Sequence, residues 1–140
     1  MKILLVEDDE RSLRLMRMIV NSQGVELLEA ADGKTGIRLA DDNQIDLFLL
    51  DIQLPDMNGK EIVSVLRLQD RYKTTPFIAI TAAAMPGDVD DILAAGFAFC
   101  FTKPIETKEV CRVIQEYKTR VETDGQKFNQ KVKRLGNGWK

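Results

Sequence analysis

The chain has 140 residues, an apolar fraction of 44%, a charged fraction of 30% and a formal net charge of −2. This length is typical of one domain, and the composition excludes fibrous, low-complexity and wholly disordered proteins. The apolar runs are too short to span a bilayer, the N-terminus lacks a signal-peptide pattern, and the charge balance gives no reason to expect a nucleic-acid partner.

The cysteine and histidine content limits the kinds of bond and site that the chain can form. Cys100 and Cys111 both lie within apolar patterns, so we expect no disulfide framework and a reducing, cytoplasmic location. The chain contains no histidine, which excludes both a histidine general base and a metal site with histidine ligands.

Strands and helices are predicted to alternate along the chain. The apolar run at residues 3–6 is continuous, which is typical of a strand buried on both faces. Apolar residues then recur at helical spacing over residues 9–21, and Gly24 ends that helix. Further strands are predicted at residues 25–30, 46–51, 77–81 and 97–102, and further helices at residues 34–42, 62–69, 88–95 and 107–121.

Five strand–helix units imply an α/β fold, with a parallel sheet covered by helices on both faces. Residues 1–121 are predicted to form this single domain. Residues 122–140 contain five basic and two acidic residues, a net charge of +3. We expect them to form a basic C-terminal tail, either flexible or an extension of the last helix. They are too few for an output domain, so we expect the chain either to act through protein contacts or to be a fragment of a larger protein.

Polar and ionisable residues end four of the five predicted strands. Because the carboxyl ends of parallel strands meet at one edge of a sheet, these residues predict a single site. Converging carboxylates repel each other unless a cation joins them, and Mg²⁺ suits oxygen ligands. Together with a lysine and a hydroxyl they favour a phosphoryl site, at which a carboxylate is the best nucleophile. The residues are Glu7, Asp8, Asp9, Asp51, Thr81, Thr102, Lys103 and Pro104.

Four motifs, in this order and spacing, resemble the receiver (CheY-like) domain of two-component response regulators. They are ILLVEDD at residues 3–9, LLDIQLPDMNG at 49–59, ITA at 80–82 and TKP at 102–104. The resemblance spans residues 1 to about 121, and the segment after Thr81 is most similar to single-domain regulators and receivers of hybrid kinases. It implies a flavodoxin-like sheet of five parallel strands in the order 2-1-3-4-5.

The resemblance also implies the reacting residues. Asp51 matches the phospho-acceptor, Thr81 the hydroxyl that moves to the phosphoryl group, and Lys103 the base that pairs with that group. Pro104 matches the proline that usually follows a cis peptide bond. The implied metal ligands are Asp8, Asp51 and the backbone carbonyl of Gln53, with Glu7 reaching the ion through water.

The implied function is that of a phosphoryl-accepting response regulator in a phosphorelay. A histidine kinase or histidine phosphotransfer protein would supply the phosphoryl group, with Mg²⁺ as the cofactor. The acyl phosphate on Asp51 would then switch contacts with a downstream protein target, with no nucleic-acid or membrane partner. We expect a signalling module rather than an enzyme, catalysing only its own phosphorylation and dephosphorylation.

One position departs from the family pattern. The family has an aromatic switch residue three positions before the lysine, where this chain has Cys100, with Phe99 and Phe101 on the opposite strand face. We therefore expect the switching signal to pass through the loop at residues 82–88, not through the rotation of an aromatic ring.

Three other functions are weighed against this one. An aspartyl-phosphate phosphohydrolase usually needs a second acid where Gln53 stands, and a cap domain for which the chain has no room. A flavodoxin-like nucleotide binder needs a glycine-rich or hydroxyl-rich loop after the first strand, where acids would repel phosphate. A degenerate receiver that binds proteins without phosphorylation is disfavoured by the intact acids, Thr81 and Lys103, although Cys100 keeps it open.

Overall fold

Five strands and five α-helices alternate in the computed structural model, which describes residues 1–82 and 85–139. A short 3₁₀ turn, Asp70–Tyr72, lies between the third helix and the fourth strand. The elements are β1 (Lys2–Val6), α1 (Glu10–Ser22), β2 (Glu26–Ala30), α2 (Gly33–Asp42), β3 (Leu47–Asp51), α3 (Gly59–Leu66), β4 (Phe77–Thr81), α4 (Pro86–Ala94), β5 (Phe99–Thr102) and α5 (Thr107–Trp139).

The sheet is parallel throughout, and its strand order is β2-β1-β3-β4-β5, which confirms the predicted fold class and topology. β3 lies at the centre and is buried along its whole length. Since residues next to each other in a strand face opposite sides of the sheet, a strand covered on both sides needs apolar side chains at every position. The continuous apolar run of β1 meets that requirement.

Helices cover the two faces of the sheet and divide the core into two clusters. Leu4 and Val6 of β1 belong to the cluster beneath α2, α3 and α4. Ile3 and Leu5 belong to the cluster beneath α1 and α5. At about 1.5–3 kcal/mol for each large apolar side chain fully buried, these two layers hold the sheet rigid. The strand ends that carry the polar residues are therefore fixed in place.

Polar side chains determine where the helices after the strands begin. The Asp9 carboxylate accepts a hydrogen bond from the Ser12 N–H at 3.1 Å and so caps α1. The Asp32 carboxylate caps α2 in the same way, at 2.7 Å from the Thr35 nitrogen. Such caps satisfy amide groups that have no partner within the helix. Asp9 is therefore a capping residue.

The start of α3 is pressed against the end of β3. A Cβ atom on Gly59 would lie 2.6 Å from the backbone oxygen of Asp51, a distance that carbon atoms do not tolerate. The Gly59 N–H donates a 2.8 Å hydrogen bond to the Ile52 carbonyl. Glycine is required at residue 59 because the turn between β3 and α3 leaves no room for a side chain, and this close approach fixes the backbone of Asp51.

Several features differ from the sequence-based prediction. α3 spans Gly59–Leu66 and not residues 62–69, so Gln69 lies outside it, and α4 begins at Pro86. β5 begins at Phe99, two residues later than predicted, because the preceding Ala98 N–H bonds to Phe77 at the entrance of β4. The turn at Asp70–Tyr72 was not predicted, and it buries Tyr72 completely. α5 continues to Trp139, over 33 residues, whereas the division of the chain at residue 121 remains a prediction.

Within the described part of the chain, no helix combines the length and the apolar character needed to cross a bilayer.

We expect Gly59→Ala to lower the free energy of unfolding by about 1–3 kcal/mol, since the added methyl group must push backbone away from Asp51. Urea denaturation followed by circular dichroism measures this loss. Gly87→Ala is the matched control, because nothing lies within 4 Å of a Cβ at that position and α4 gains helix propensity. Equal stability changes in the two variants would contradict the close approach at residue 59.

Candidate functional site

The predicted site residues meet at one edge of the sheet, at the carboxyl ends of four strands. Asp51 and Thr81 are the last residues of β3 and β4. Glu7 and Lys103 directly follow β1 and β5. Glu7 is 0% exposed, Asp51 5% and Thr81 3%, so the polar groups lie in the wall of the core and not on the surface.

Three carboxylates converge at this edge. Oxygen atoms of Glu7, Asp8 and Asp51 all lie within 4.8 Å of one another, and Asp8 is exposed to solvent. The repulsion between such groups grows as water is removed, so a cation is needed to hold them together. The donor set consists of oxygen atoms, which fits a hard divalent cation such as Mg²⁺.

Lys103 supplies a positive charge within the protein. Its Nζ donates to Glu7 Oε1 at 3.0 Å and to Asp51 Oδ2 at 3.1 Å. Its backbone N–H donates to the Thr81 carbonyl at 2.8 Å, and the following peptide bond to Pro104 is cis. Burial lowers the pKa of Lys103, but the hydrogen bond to Glu7 and the charges of Asp51 and Glu7 outweigh burial and raise it. The ammonium group therefore remains charged.

The surroundings of Glu7 disfavour the charged form of its carboxyl group. Burial, followed by the close approach of Asp51, raises the pKa of Glu7 from 4.5 to about 7. Its Oε1 accepts hydrogen bonds from Lys103 and from the Asp9 N–H, whereas Oε2 is buried with no hydrogen-bond partner among the described residues. A buried, unpartnered carboxylate oxygen costs free energy, and a bound cation or its water would remove that cost.

The main chain of Gln53 lies beside the acceptor candidate. The Gln53 N–H donates to Asp51 Oδ1 at 2.9 Å. Gln53 also forms an antiparallel bridge with Asn58, so residues 53–58 make a short closed loop. The structure thus brings the predicted backbone ligand next to the predicted carboxylate ligand.

A cavity of about 250 Å³ adjoins the site and includes residues that the sequence reasoning missed. Gln53 and Thr81 form one side of it, and Lys60 and Asp88 contribute charged groups from α3 and α4. Both missed residues lie in the first turns of the helices that follow β3 and β4. Their places after strand ends were a usable signal, because those helix starts surround the same edge of the sheet.

Cys100 lies half-buried on the α4 side of the sheet and packs against that core cluster. Phe99 and Phe101 lie on the other side, with ring centroids 5.2 Å apart in an edge-to-face arrangement. The expected separation of these residues between the two strand faces is thus present. Part of the predicted switching loop, Ala83 and Ala84, lies outside the described residues.

The chain is similar in sequence to known proteins. The family described as the response regulator receiver domain matches residues 3–115. The polar-differentiation response regulator DivK of Brucella anthropi is 34% identical over 115 residues, which cover 82% of this chain and 94% of that relative.

Solved structures give the same result. The chemotaxis response regulator CheY4 of Vibrio cholerae has a TM-score of 0.77 and 27% identity, covering 83% of this chain and 97% of that one. The receiver domain of the sensor histidine kinase PA1611 from Pseudomonas aeruginosa has a TM-score of 0.76 and 32% identity, covering 83% and 95%. The latter structure contains a magnesium ion coordinated in its active-site cleft.

The raised pKa of Glu7 predicts how stability depends on pH in the metal-free protein. Between pH 4.5 and about 7 the folded state retains a proton that the unfolded state has released, so the free energy of unfolding falls as pH rises. Urea denaturation in a chelator measures this slope, and the absence of histidine leaves the window nearly free of other titrations.

Glu7→Gln is the control for this measurement. It should flatten the profile and be more stable than the wild type at pH 8, since the amide has no charge to desolvate. Parallel profiles for the two proteins would mean that Glu7 is ionised throughout the window.

Proposed function

The chain belongs to the response regulator receiver family, and we propose that Asp51 is the residue that accepts its phosphoryl group. The observation that carries this assignment is the position of Asp51 at the end of the central strand. There it is buried, contacted by the Lys103 ammonium at 3.1 Å and grouped with two further acids. A solvated loop acid would have none of these contacts.

The proposed reaction is an in-line transfer from a phosphohistidine donor. A carboxylate oxygen of Asp51 attacks the phosphorus, a P–O bond forms, and the P–N bond to the donor imidazole breaks. The electron pair of that bond remains on the imidazole nitrogen, which takes up a proton. Such transfers depend on positioning and on neutralising charge at the phosphoryl oxygens, and the fixed strand ends supply the positioning.

Mg²⁺ would be held by Asp8, Asp51 and the Gln53 backbone carbonyl, with Glu7 reaching it through water. When bound, it would supply positive charge to the phosphoryl oxygens. Two observations support this assignment: three carboxylates lie within 4.8 Å of one another, and Glu7 Oε2 is buried without a described partner. Both disfavour a site that functions without a cation.

Lys103 and Thr81 would respond to the new group. The Lys103 ammonium already contacts Asp51, so it can pair with a phosphoryl oxygen without a large rearrangement. Thr81 ends the neighbouring strand, and its hydroxyl would move to the same group. Hydrolysis of the acyl phosphate by water would return Asp51 to its first state. The chain would therefore catalyse only its own phosphorylation and dephosphorylation, as a signalling module.

The proposed partners follow from this chemistry. A histidine kinase or a histidine phosphotransfer protein would donate the phosphoryl group, and a downstream protein would read the changed surface. A degenerate receiver that binds without phosphorylation is less well supported, because it has no need for Lys103, Asp51 and Glu7 to be brought together in the core wall.

Asp51→Asn should abolish phosphorylation while leaving the fold intact, since an amide oxygen is a far poorer nucleophile than a carboxylate. Intact-protein mass spectrometry after treatment with acetyl phosphate and Mg²⁺ measures the adduct. Asp42→Asn, an exposed acid at the end of α2, is the matched control and should react like the wild type. A stoichiometric adduct on another residue of Asp51→Asn would contradict the assignment.

Thr81→Ala and Lys103→Ala should differ in what they lose. Thr81→Ala should still accept the phosphoryl group but respond weakly, because the hydroxyl reads the group without attacking it. Lys103→Ala should lose more, since it removes a charged partner.

Hydrogen exchange of α4 and β5, with and without beryllofluoride as a phosphoryl mimic, measures this response. Thr102→Ala removes an exposed hydroxyl from the strand end paired with Thr81 and serves as the control. A full response in Thr81→Ala would exclude its hydroxyl from the switch.

A further inference from the structure

The loop at residues 53–58 is fastened at its tip to another element. Asp56 Oδ1 accepts a hydrogen bond from the Gly33 N–H at 2.8 Å, and Asp56 Oδ2 accepts one from the Lys34 N–H at 2.9 Å. These amides are the first two of α2, and amides at that position have no partner within their helix. Asp56 is distant from them in sequence, so this contact is a tertiary link and not a local cap.

The same junction is closely packed on its apolar side. A Cβ atom on Gly33 would lie 2.3 Å from Cγ and 2.5 Å from Sδ of Met57. Gly33 is buried, and Met57 packs against the core cluster beneath α2 and α3. Two contacts therefore hold the loop against α2. The Asp56 carboxylate accepts two hydrogen bonds from α2 amides, and the Met57 side chain lies so close to Gly33 that a Cβ atom there would clash with it.

Asp56, at the tip of the loop, is three residues from Gln53 of the proposed metal site. The loop closes through the Gln53–Asn58 bridge, and the Leu54 N–H donates to the Met57 carbonyl at 3.3 Å. A loop this short, bonded across its middle and its base, transmits a displacement of its tip to its base. Its base is Gln53, whose N–H bonds to Asp51.

We propose that Asp56 is a positioning residue for the divalent-cation site. By binding the N-terminus of α2, its carboxylate sets the loop so that the Gln53 main chain stays beside Asp51. This inference rests on the proposed function. The two amide hydrogen bonds also lower the pKa of Asp56, so the carboxylate stays ionised over the neutral pH range.

The alternative is that Asp56 only stabilises α2, and a second cap on the same helix separates the two roles. Asp32→Ala removes the bond to Thr35 N–H without touching the loop. We expect Asp56→Ala to weaken Mg²⁺ binding about tenfold, the scale seen when groups behind metal ligands are removed. Asp32→Ala should leave Mg²⁺ affinity unchanged. Isothermal titration calorimetry measures affinity, and urea denaturation measures the stability loss in both variants.

Gly33→Ala perturbs the junction without removing a charge. The added methyl group must displace Met57, so we expect both lower stability and weaker Mg²⁺ binding. A junction that only stabilises α2 predicts the loss of stability with unchanged Mg²⁺ affinity. Asp56→Asn retains one carbonyl acceptor and should give an intermediate affinity.

A readout that needs no metal is hydrogen exchange of the Gln53 amide, which should become faster in Asp56→Ala and not in Asp32→Ala. Equal Mg²⁺ affinities in the wild type and Asp56→Ala would overturn this proposal alone. A wild-type protein that binds no Mg²⁺ would overturn the proposed function as well.

Discussion

The contact between the Lys103 ammonium and two buried carboxylates is the interaction on which the site depends. Glu7 and Asp51 end separate strands, and the sheet forces them to one edge, where each would repel the other with little water to screen them. Lys103 lies within 3.0 Å of one and 3.1 Å of the other, and thereby joins β1, β3 and β5. Without it, the ends of the apolar strands would bring together charges that the core cannot tolerate.

The single positive charge of Lys103 does not neutralise all the acids of the site. One lysine faces three acids, Glu7 retains a proton up to about pH 7, and one of its oxygens has no described partner. A structure selected for stability alone would place apolar residues here, since buried ion pairs are often less stabilising than apolar packing. The excess negative charge therefore supports the proposal that the site binds a cation and accepts a phosphoryl group.

The fold was largely predictable because its strands are buried on both faces. Burial alone explains the continuous apolar runs of β1, β3 and β4 and the apolar stripes of α1 and α5. The parallel arrangement of those strands then brings Glu7, Asp51 and Thr81 to one edge of the sheet. Sequence reasoning fails where a contact joins distant segments without a periodic pattern. Asp56 lies within the motif at residues 49–59, but no pattern pairs it with Gly33, and only the folded loop brings its carboxylate to the α2 amides.

The same limit applies to helix ends and buried polar groups. Nothing in the pattern near Tyr72 indicated that a 3₁₀ turn would bury it. Its hydroxyl lies 2.6 Å from the carbonyl oxygens of both Ala40 and Asn43 at the α2 end, and it can donate its single proton to either. Helix α5 extends to Trp139, beyond the apolar stripe that predicted a helix end near residue 121. Lys60 and Asp88 were not predicted because they lie in the first turns of α3 and α4, and not at strand ends.

The geometry also bears on how a signal could leave the site when Cys100 stands where the family has an aromatic residue. Lys103 is bonded to the Thr81 carbonyl at 2.8 Å, so the ends of β4 and β5 stay together when the lysine side chain changes partners. Thr81 lines a cavity of about 250 Å³ together with Asp88 and Ile92 of α4. A cysteine is too small to signal by rotating as an aromatic ring does. We therefore expect a change at Thr81 to reach α4 through the loop that follows Thr81 and through this shared cavity.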